Sequence, residues 1–189
     1  TGYQQVQGDQ YAALYSETVT VQLENDFLPF LYPNQYVNFT PDSKASQLAL
    51  SLIDEDTVDV DALQQIYDYV VSNLTYDYEK ADTVTTGYLP DVDETLKTGT
   101  GICFDYAALT TAMLRSCDIP CKLQIGYAGD IKHAWIDVYI RSKGWVNQAV
   151  SFKGDTRTLM DPTFDSNSDD KEAIQDYIGD ESKYTVQYT

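Results

Sequence analysis

The chain has 189 residues, which is enough for one domain with a sizeable hydrophobic core. Thirty acidic residues against twelve basic ones give a net charge of −18 at pH 7. This balance argues against a nucleic-acid partner, because phosphate contacts need clustered lysine and arginine. No apolar run reaches the length of a membrane-spanning helix. We expect an N-terminal extension over residues 1–40 that packs on the core, followed by one main domain over residues 41–189.

The first half of the chain predicts one short strand and two helices. Residues 19–23 alternate apolar and polar side chains, which is the pattern of a strand, whereas residues 28–36 contain two prolines and are expected to form a loop. A Thr-Pro-Asp segment is typical of a helix start and predicts a helix over residues 41–53. A second helix is expected to begin at Asp59, after which apolar residues recur every three or four positions.

The second half of the chain predicts a buried helix followed by strands. Residues 77–100 are polar and are expected to form a long loop with one helical turn around Val92 and Leu96. Residues 103–116 are apolar on nearly all sides, as expected of a central buried helix. A short helix is expected over residues 173–178. Alternation of apolar residues predicts five strands, over residues 121–127, 133–140, 145–150, 157–160 and 184–188.

The three cysteines of the chain indicate neither a disulfide framework nor a metal site. Cys117 and Cys121 lie four positions apart around a proline, so a bond between them would close a tight, strained loop. Zinc needs four ligands, and His133, the single histidine, together with this cysteine pair does not supply them. We expect no metal and no cofactor, and we expect Cys117 and Cys121 to pack in the core.

The third cysteine, Cys103, follows a glycine-marked turn and opens the predicted central helix. The unpaired N–H groups and the positive dipole end at a helix start favour a thiolate, which is the reactive state of a cysteine nucleophile. The alternative is that Cys103 is a small buried hydrophobic residue, as most free cysteines are.

A cysteine nucleophile needs a base, and His133 is the only histidine of the chain. It begins a predicted strand, so Trp135, Asp137 and Tyr139 share its face while the apolar residues between them face the core. His133 is therefore expected on a polar and aromatic face that a thiolate or a ligand can reach. Asp137 would lie about 7 Å farther along the strand, and we expect it to have a structural or substrate-binding role.

Several short motifs in a fixed order resemble those of the transglutaminase-like superfamily of cysteine enzymes. They are GICFDYA at 101–107, LR at 114–115, IP at 119–120, GY at 126–127, HAW at 133–135 and DPTF at 161–164. The resemblance covers roughly residues 60 to 165. It implies an α+β, papain-like fold, the transglutaminase core, with the nucleophile helix packed on an antiparallel sheet. It also implies a catalytic triad of Cys103 as nucleophile, His133 as base and Asp161 as the acid that orients the imidazole.

The resemblance leaves the second donor of the oxyanion hole open. Animal transglutaminases place a tryptophan ahead of the cysteine, whereas both tryptophans of this chain follow Cys103. The backbone N–H of Cys103 offers one donor, and Tyr76 or Tyr88 is a candidate for the second. Trp135 is expected to wall the cleft.

These features predict an enzyme that transfers the acyl group of a peptide amide through a thioester. Transfer to water makes a peptidase or amidase, and transfer to an amine makes a protein-crosslinking transglutaminase; hydrolysis is the simpler expectation. We expect a protein or peptide substrate, with cell-wall peptide as one candidate. The tyrosine-rich, lysine-poor composition suits a secreted or cell-surface bacterial monomer. The alternative is a non-catalytic cell-surface module that binds peptide or glycan on the same fold.

Overall fold

The structure, a computed structural model, describes residues 2–8, 10–54, 56–153, 156–159 and 184–189. Its helices are α1 (Lys44–Leu52), α2 (Asp59–Asn73), α3 (Tyr78–Thr83), α4 (Val92–Thr98) and α5 (Cys103–Ser116). Its strands are β1 (Gly2–Gln7), β2 (Gln10–Tyr15), β3 (Thr75–Tyr76), β4 (Thr100–Gly101), β5 (Cys121–Ala128), β6 (Ile131–Ile140), β7 (Gly144–Lys153), β8 (Thr156–Leu159) and β9 (Tyr184–Tyr188). Across these ranges, no helix combines the length and the apolar character needed to span a membrane.

A five-stranded antiparallel sheet forms the centre of the fold, in the order β8-β7-β6-β5-β9. Strands β5 to β8 are consecutive in the chain and each pairs with its neighbour, and β9 pairs with the other edge of β5. Helix α5 packs across β5, β6 and β7, and α1, α2 and α4 pack around α5. The predicted α+β arrangement, with the nucleophile helix on an antiparallel sheet, is confirmed.

Helix α5 is buried along most of its length because its side chains are apolar or small on every side. Ala107, Ala108 and Ala112 are fully buried, and their small side chains let the surrounding helices and the sheet approach closely. The β6 side chains in the same core alternate along the strand, as predicted. They are Ala134, Ile136, Val138 and Ile140.

The predicted strand over residues 19–23 is wrong. These residues are irregular, and Val19 and Val21 are each 70% exposed. Alternating apolar residues specify a strand only where one of its faces is buried, and here all five residues are exposed. The strands of this region are instead β1 and β2, which form an antiparallel hairpin with each other.

Helix α1 begins at Lys44, later than the predicted start at residue 41. The Thr-Pro-Asp segment ahead of it forms a turn, in which the N–H of Ser43 donates to the carbonyl of Thr40 at 3.0 Å. The N–H of Thr40 donates in return to the Ser43 hydroxyl at 3.0 Å. Ser43 rather than Thr40 is therefore the cap residue of the helix.

The polar segment over residues 77–100 is more ordered than the predicted loop. It contains α3 and α4, and an aspartate side chain caps the start of each: Asp77 accepts from the N–H of Lys80, and Asp91 accepts from those of Asp93 and Glu94. The predicted helix over residues 173–178 lies outside the described residues.

Aromatic side chains of the N-terminal segment contact the sheet where β6 ends and β7 begins. The Phe27 and Tyr139 ring centroids are 4.5 Å apart, and those of Phe30 and Trp145 are 5.2 Å apart. The Lys122 ammonium lies 3.8 Å from the Trp145 centroid and adds a cation–π contact to this cluster. The division of the chain into an extension and a main domain at residue 40 stays a prediction.

Candidate active site

The turn ahead of Cys103 is held by a short pair of parallel strands. Thr75 pairs with Thr100 and Tyr76 with Gly101, so β3 runs beside the residues that lead into α5. A side chain at position 101 would put its Cβ 2.7 Å from the Cβ of Asp105. Glycine is therefore needed at 101 for the chain to turn this closely onto the first turn of α5, which explains the first residue of the GICFDYA motif.

Cys103 is a half-buried residue at the start of α5, and its sulfur lies near the start of β6. The backbone N–H groups of Ala134 and Phe104 lie beside the Cys103 sulfur. The Ala134 N–H belongs to the peptide that follows His133. The structure thus brings the predicted nucleophile to the segment that carries the predicted base.

His133 is buried, with 6% of its surface exposed, and lies opposite Gly126 of β5. Its ring stacks on that of Trp135, with centroids 6.2 Å apart and planes inclined by 19°. Trp135 is itself buried, and its ring meets that of Tyr184 edge-on at 5.2 Å. This aromatic packing holds the imidazole in place on its face of β6.

The Cys103 thiol differs from the thiolate that its helix position predicts. Burial raises the pKa of Cys103 above its ordinary value of 9.0, and the charge of Asp105 raises it further. The N–H groups of Ala134 and Phe104 lower this pKa, but burial outweighs them. The helix start alone therefore does not bring the pKa of the sulfur below its ordinary value.

Tyr76 lies against the backbone of Cys103, as the β3–β4 pairing requires. Burial, followed by the charge of an ionised Cys103, raises the pKa of Tyr76 to about 12, while the nearby Cys103 N–H lowers it. The phenol is therefore protonated at neutral pH. Its O–H and the Cys103 N–H are two hydrogen-bond donors that meet beside the sulfur.

Tyr88 is held in a different place from Tyr76. Its hydroxyl donates to Asp105, and Lys80 donates to both of them, at 2.8 Å to Tyr88 and 2.7 Å to Asp105. Sequence reasoning missed Lys80 and Asp105. The available signal was an acidic residue in the first helical turn, two positions after the cysteine.

The other candidates lie in separate surroundings. Asp137 is buried and accepts a hydrogen bond from the Gln124 amide at 2.7 Å, which is a structural contact within the sheet. Cys121 is fully buried beside Thr111, and Cys117 is half-buried at the far end of α5; both are free thiols. Asp161 lies outside the described residues, so its place in a triad stays a prediction.

A central helix that begins with a cysteine and packs on an antiparallel sheet next to a histidine-bearing strand defines a papain-like α+β fold. Residues 46–148, more than half of the chain, match the transglutaminase-like superfamily. The chain belongs to this superfamily, and its fold is the transglutaminase core.

Known structures and proteins resemble parts of the chain. A proposed cysteine protease from Cytophaga hutchinsonii is 26% identical with a TM-score of 0.52, and the match covers 70% of this chain and 43% of that one. The periplasmic domain of TgpA from Pseudomonas aeruginosa is 17% identical with a TM-score of 0.47, covering 79% and 51%. The UPF0252 protein MJ1282 of Methanocaldococcus jannaschii is 36% identical over 62 residues, which are 30% of this chain and 18% of that protein. The chain thus spans less than half of the first structure and less than a fifth of the curated relative.

Proposed function

We propose that this chain is a cysteine-dependent enzyme that cleaves peptide amides through a thioester, with Cys103 as nucleophile, His133 as base and Asp161 as the orienting acid. The observation that carries the proposal is the position of Cys103 at the start of α5, where its sulfur lies beside the backbone N–H of Ala134, the residue after His133. It supports a direct approach of the nucleophile to the His133 segment. The 26% identity to a proposed cysteine protease adds support for the class of reaction.

In the proposed reaction Cys103 starts as a neutral thiol, because burial raises its pKa. His133 takes the thiol proton as the sulfur bonds to the amide carbon, and the same proton then passes to the leaving nitrogen when the carbon–nitrogen bond breaks. Water next attacks the thioester with His133 as base, which releases the acid and restores the thiol. An amine that enters in place of water gives a new amide by the same route.

The proposed oxyanion hole consists of the Cys103 N–H and the Tyr76 hydroxyl. In the structure the two groups lie beside each other. An oxyanion formed on the substrate carbon would accept from both, since it carries the charge that these donors stabilise. Removing one such donor typically lowers kcat about 100- to 1,000-fold. Tyr88 is not part of this proposal because its hydroxyl donates to Asp105.

Aromatic rings next to the nucleophile support a peptide substrate. Phe104 lies 6.0 Å from Tyr36 and 6.3 Å from Tyr88, between ring centroids, and Tyr36 lies 6.4 Å from Tyr188. Tyr188 is 56% exposed and offers its ring to a bound chain. We propose a protein or peptide substrate, cell-wall peptide included, and hydrolysis as the default reaction. A monomer with a secreted or cell-surface location completes the proposal.

A binding module is the second candidate function. The raised pKa of Cys103 favours it, because a thiol that stays protonated does not attack an amide. In this case the exposed aromatic rings would hold a peptide or glycan that is never cleaved.

The experiment that separates the two candidates is release of a chromogenic amine from peptide amides, with and without an added primary amine. We expect turnover by the wild type, its loss in Cys103→Ala and His133→Ala, and normal turnover in Cys117→Ala, the matched cysteine control. Tyr76→Phe should lower kcat more than it changes KM. A new amide product in the presence of the amine would identify the crosslinking reaction. Full turnover by His133→Ala would refute the mechanism, and equal ligand binding by wild type and Cys103→Ala without turnover would establish the module.

A further inference from the structure

Asp105 carries a buried negative charge two residues after the nucleophile. Its side chain is fully buried in the first turn of α5, where it accepts the N–H of Ile102 at 2.8 Å. It also accepts from the Lys80 ammonium at 2.7 Å and from the Tyr88 hydroxyl. These three donors satisfy both oxygens of the buried carboxylate, and the Lys80 ammonium balances its charge.

The two partners of Asp105 are themselves in defined protonation states. Burial lowers the pKa of Lys80, but hydrogen bonds to Asp105 and Tyr88 outweigh burial and raise it, so the side chain is an ammonium. Burial and then Asp105 raise the pKa of Tyr88, so its hydroxyl keeps the proton that it donates. The Lys80 ammonium also lies 4.5 Å from the Tyr88 ring centroid. Asp105, Lys80 and Tyr88 thus contact one another pairwise.

The same residues join three elements around the cysteine. The backbone N–H of Lys80 donates to the Asp77 carboxylate at 2.8 Å, and the Asp77 N–H donates to the carbonyl of Gly101 at 2.9 Å. Helix α3 is therefore linked to β4 through its backbone and to α5 through the Lys80 ammonium. These contacts enclose the turn that delivers Cys103.

We propose that Lys80, Tyr88 and Asp105 form a positioning network that fixes the first turn of α5 and neutralises the carboxylate beside the nucleophile. The proposal rests on the proposed function, in which Cys103 reacts as a thiolate. A carboxylate two residues from the nucleophile opposes a second negative charge on the sulfur. The Lys80 ammonium offsets this repulsion. Lys80, Tyr88 and Asp105 are positioning residues, because they act on the reaction through Cys103.

Two titratable groups near the sulfur, Tyr76 and His133, are left unchanged in the test. Tyr76 approaches from β3, and His133 precedes the Ala134 N–H on β6. Asp105 is the charged group on α5 itself, with Lys80 of α3 behind it. A substitution within the network therefore changes one charge while the base and the tyrosine remain.

The test is the pH dependence of Cys103 alkylation by iodoacetamide, without substrate, in two variants with opposite charge changes. Lys80→Met removes the cation, while Ile102 and Tyr88 still donate to the Asp105 carboxylate. We expect the alkylation midpoint to rise by roughly half a pH unit or more. Asp105→Asn keeps an acceptor for Ile102 and leaves the cation, so the midpoint should fall by a similar amount. A network that only held the fold would move both midpoints in the same direction.

Three further variants make the outcome decisive. Lys80→Arg keeps the charge and should restore the wild-type midpoint, whereas Lys97→Met, which breaks an exposed ion pair with Glu94 on α4, should leave it unchanged. If Lys80→Met fails to fold in a thermal unfolding scan, Tyr88→Phe replaces it and should raise the midpoint by less. The proposal would be overturned if the alkylation midpoint of Asp105→Asn shifted in the same direction as that of Lys80→Met or its replacement Tyr88→Phe. It would also be overturned if none of these midpoints shifted. Unchanged Cys103 reactivity in His133→Ala would instead count against the proposed function, whatever the network variants show.

Discussion

Arg115 lies in the last turn of α5 with only 4% of its surface exposed, and it faces main-chain carbonyls. Its Nε and Nη2 donate to the carbonyl of Cys121 at 3.0 and 2.7 Å, and Nη1 donates to that of Tyr32 at 2.6 Å. The side chain therefore ties the helix end to the start of β5 and to the N-terminal segment. We predict that Arg115→Met, which keeps a similar stem and removes the donors, destabilises the fold strongly.

The magnitude follows from the three contacts. Each hydrogen bond from a charged donor contributes about 1.5–3 kcal/mol. Burial of the guanidinium, which also lowers the pKa of Arg115, costs several kcal/mol and offsets part of this sum. We expect a net loss of about 2–4 kcal/mol in the free energy of unfolding. At an m value of about 1–3 kcal/mol/M, the urea midpoint should fall by roughly 1 M or more.

The assay is urea unfolding followed by far-UV circular dichroism, with Arg141→Met as the matched control. The Arg141 side chain is 77% exposed and makes one ion pair, with Asp59 at 3.1 Å, so its loss should cost about 1 kcal/mol or less. If Arg115→Met and Arg141→Met lost similar stability, the buried contacts of Arg115 would only balance its desolvation, and the reasoning would be refuted.

Three further predictions concern the sheet edge, the thiols of Cys117 and Cys121, and the carboxylate of Asp59. Gly126→Ala would place a Cβ 1.9 Å from the carbonyl oxygen of Thr185, so β9 should leave the edge of β5. Hydrogen exchange should then show the Val186 amide losing protection. Unchanged protection of this amide would contradict the prediction. Burial raises the pKa of Cys117 to about 11 and that of Cys121 to about 12. Neither should react with iodoacetamide at about pH 8 in the native protein, whereas both should react in concentrated urea; native labelling of either would disprove this prediction. For Asp59, burial raises the pKa, but hydrogen bonds from Arg141 outweigh burial and lower it below its ordinary 3.8. The stabilisation from ionised Asp59 is therefore fully present above pH 3.8 and is lost as the pH falls through the lower pKa of the folded state. Asp59→Asn should be less stable than wild type at pH 7, and this difference in stability should close below about pH 3.8. A stability difference that does not depend on pH would be inconsistent with an ionised Asp59.

The central helix and the sheet were predictable because their sequence patterns agree with their burial. Residues 103–116 are apolar on nearly all sides, and α5 is the buried element on which the others pack. Alternation in residues 133–140 correctly assigned the core-facing side of β6. The same pattern failed in residues 19–23, because alternation describes only one strand and does not provide the partner that would cover it.

The site was predictable in part. The motifs identified Cys103 and His133, and the structure brings the sulfur to the peptide after the histidine. The position of Cys103 at a helix start predicted a stabilised thiolate, yet burial raises its pKa, and the balance between dipole and desolvation depends on packing that a sequence does not show. The contact of Lys80 with Asp105 joins residues 25 positions apart, and sequence periodicity carries no signal for it.

The most direct test of the central claim, that His133 activates Cys103, compares the rate of Cys103 alkylation at about pH 7 in wild type and His133→Ala. A thiol with the ordinary pKa of 9.0 is only about 1% ionised at that pH, and burial of Cys103 reduces this fraction further. If His133 takes the proton, the wild type should react at least roughly 10-fold faster than the variant, with mass spectrometry locating the label on Cys103. Equal rates in the two proteins would mean that His133 does not activate the sulfur, and the proposed thiol enzyme would have to be given up in favour of the binding module.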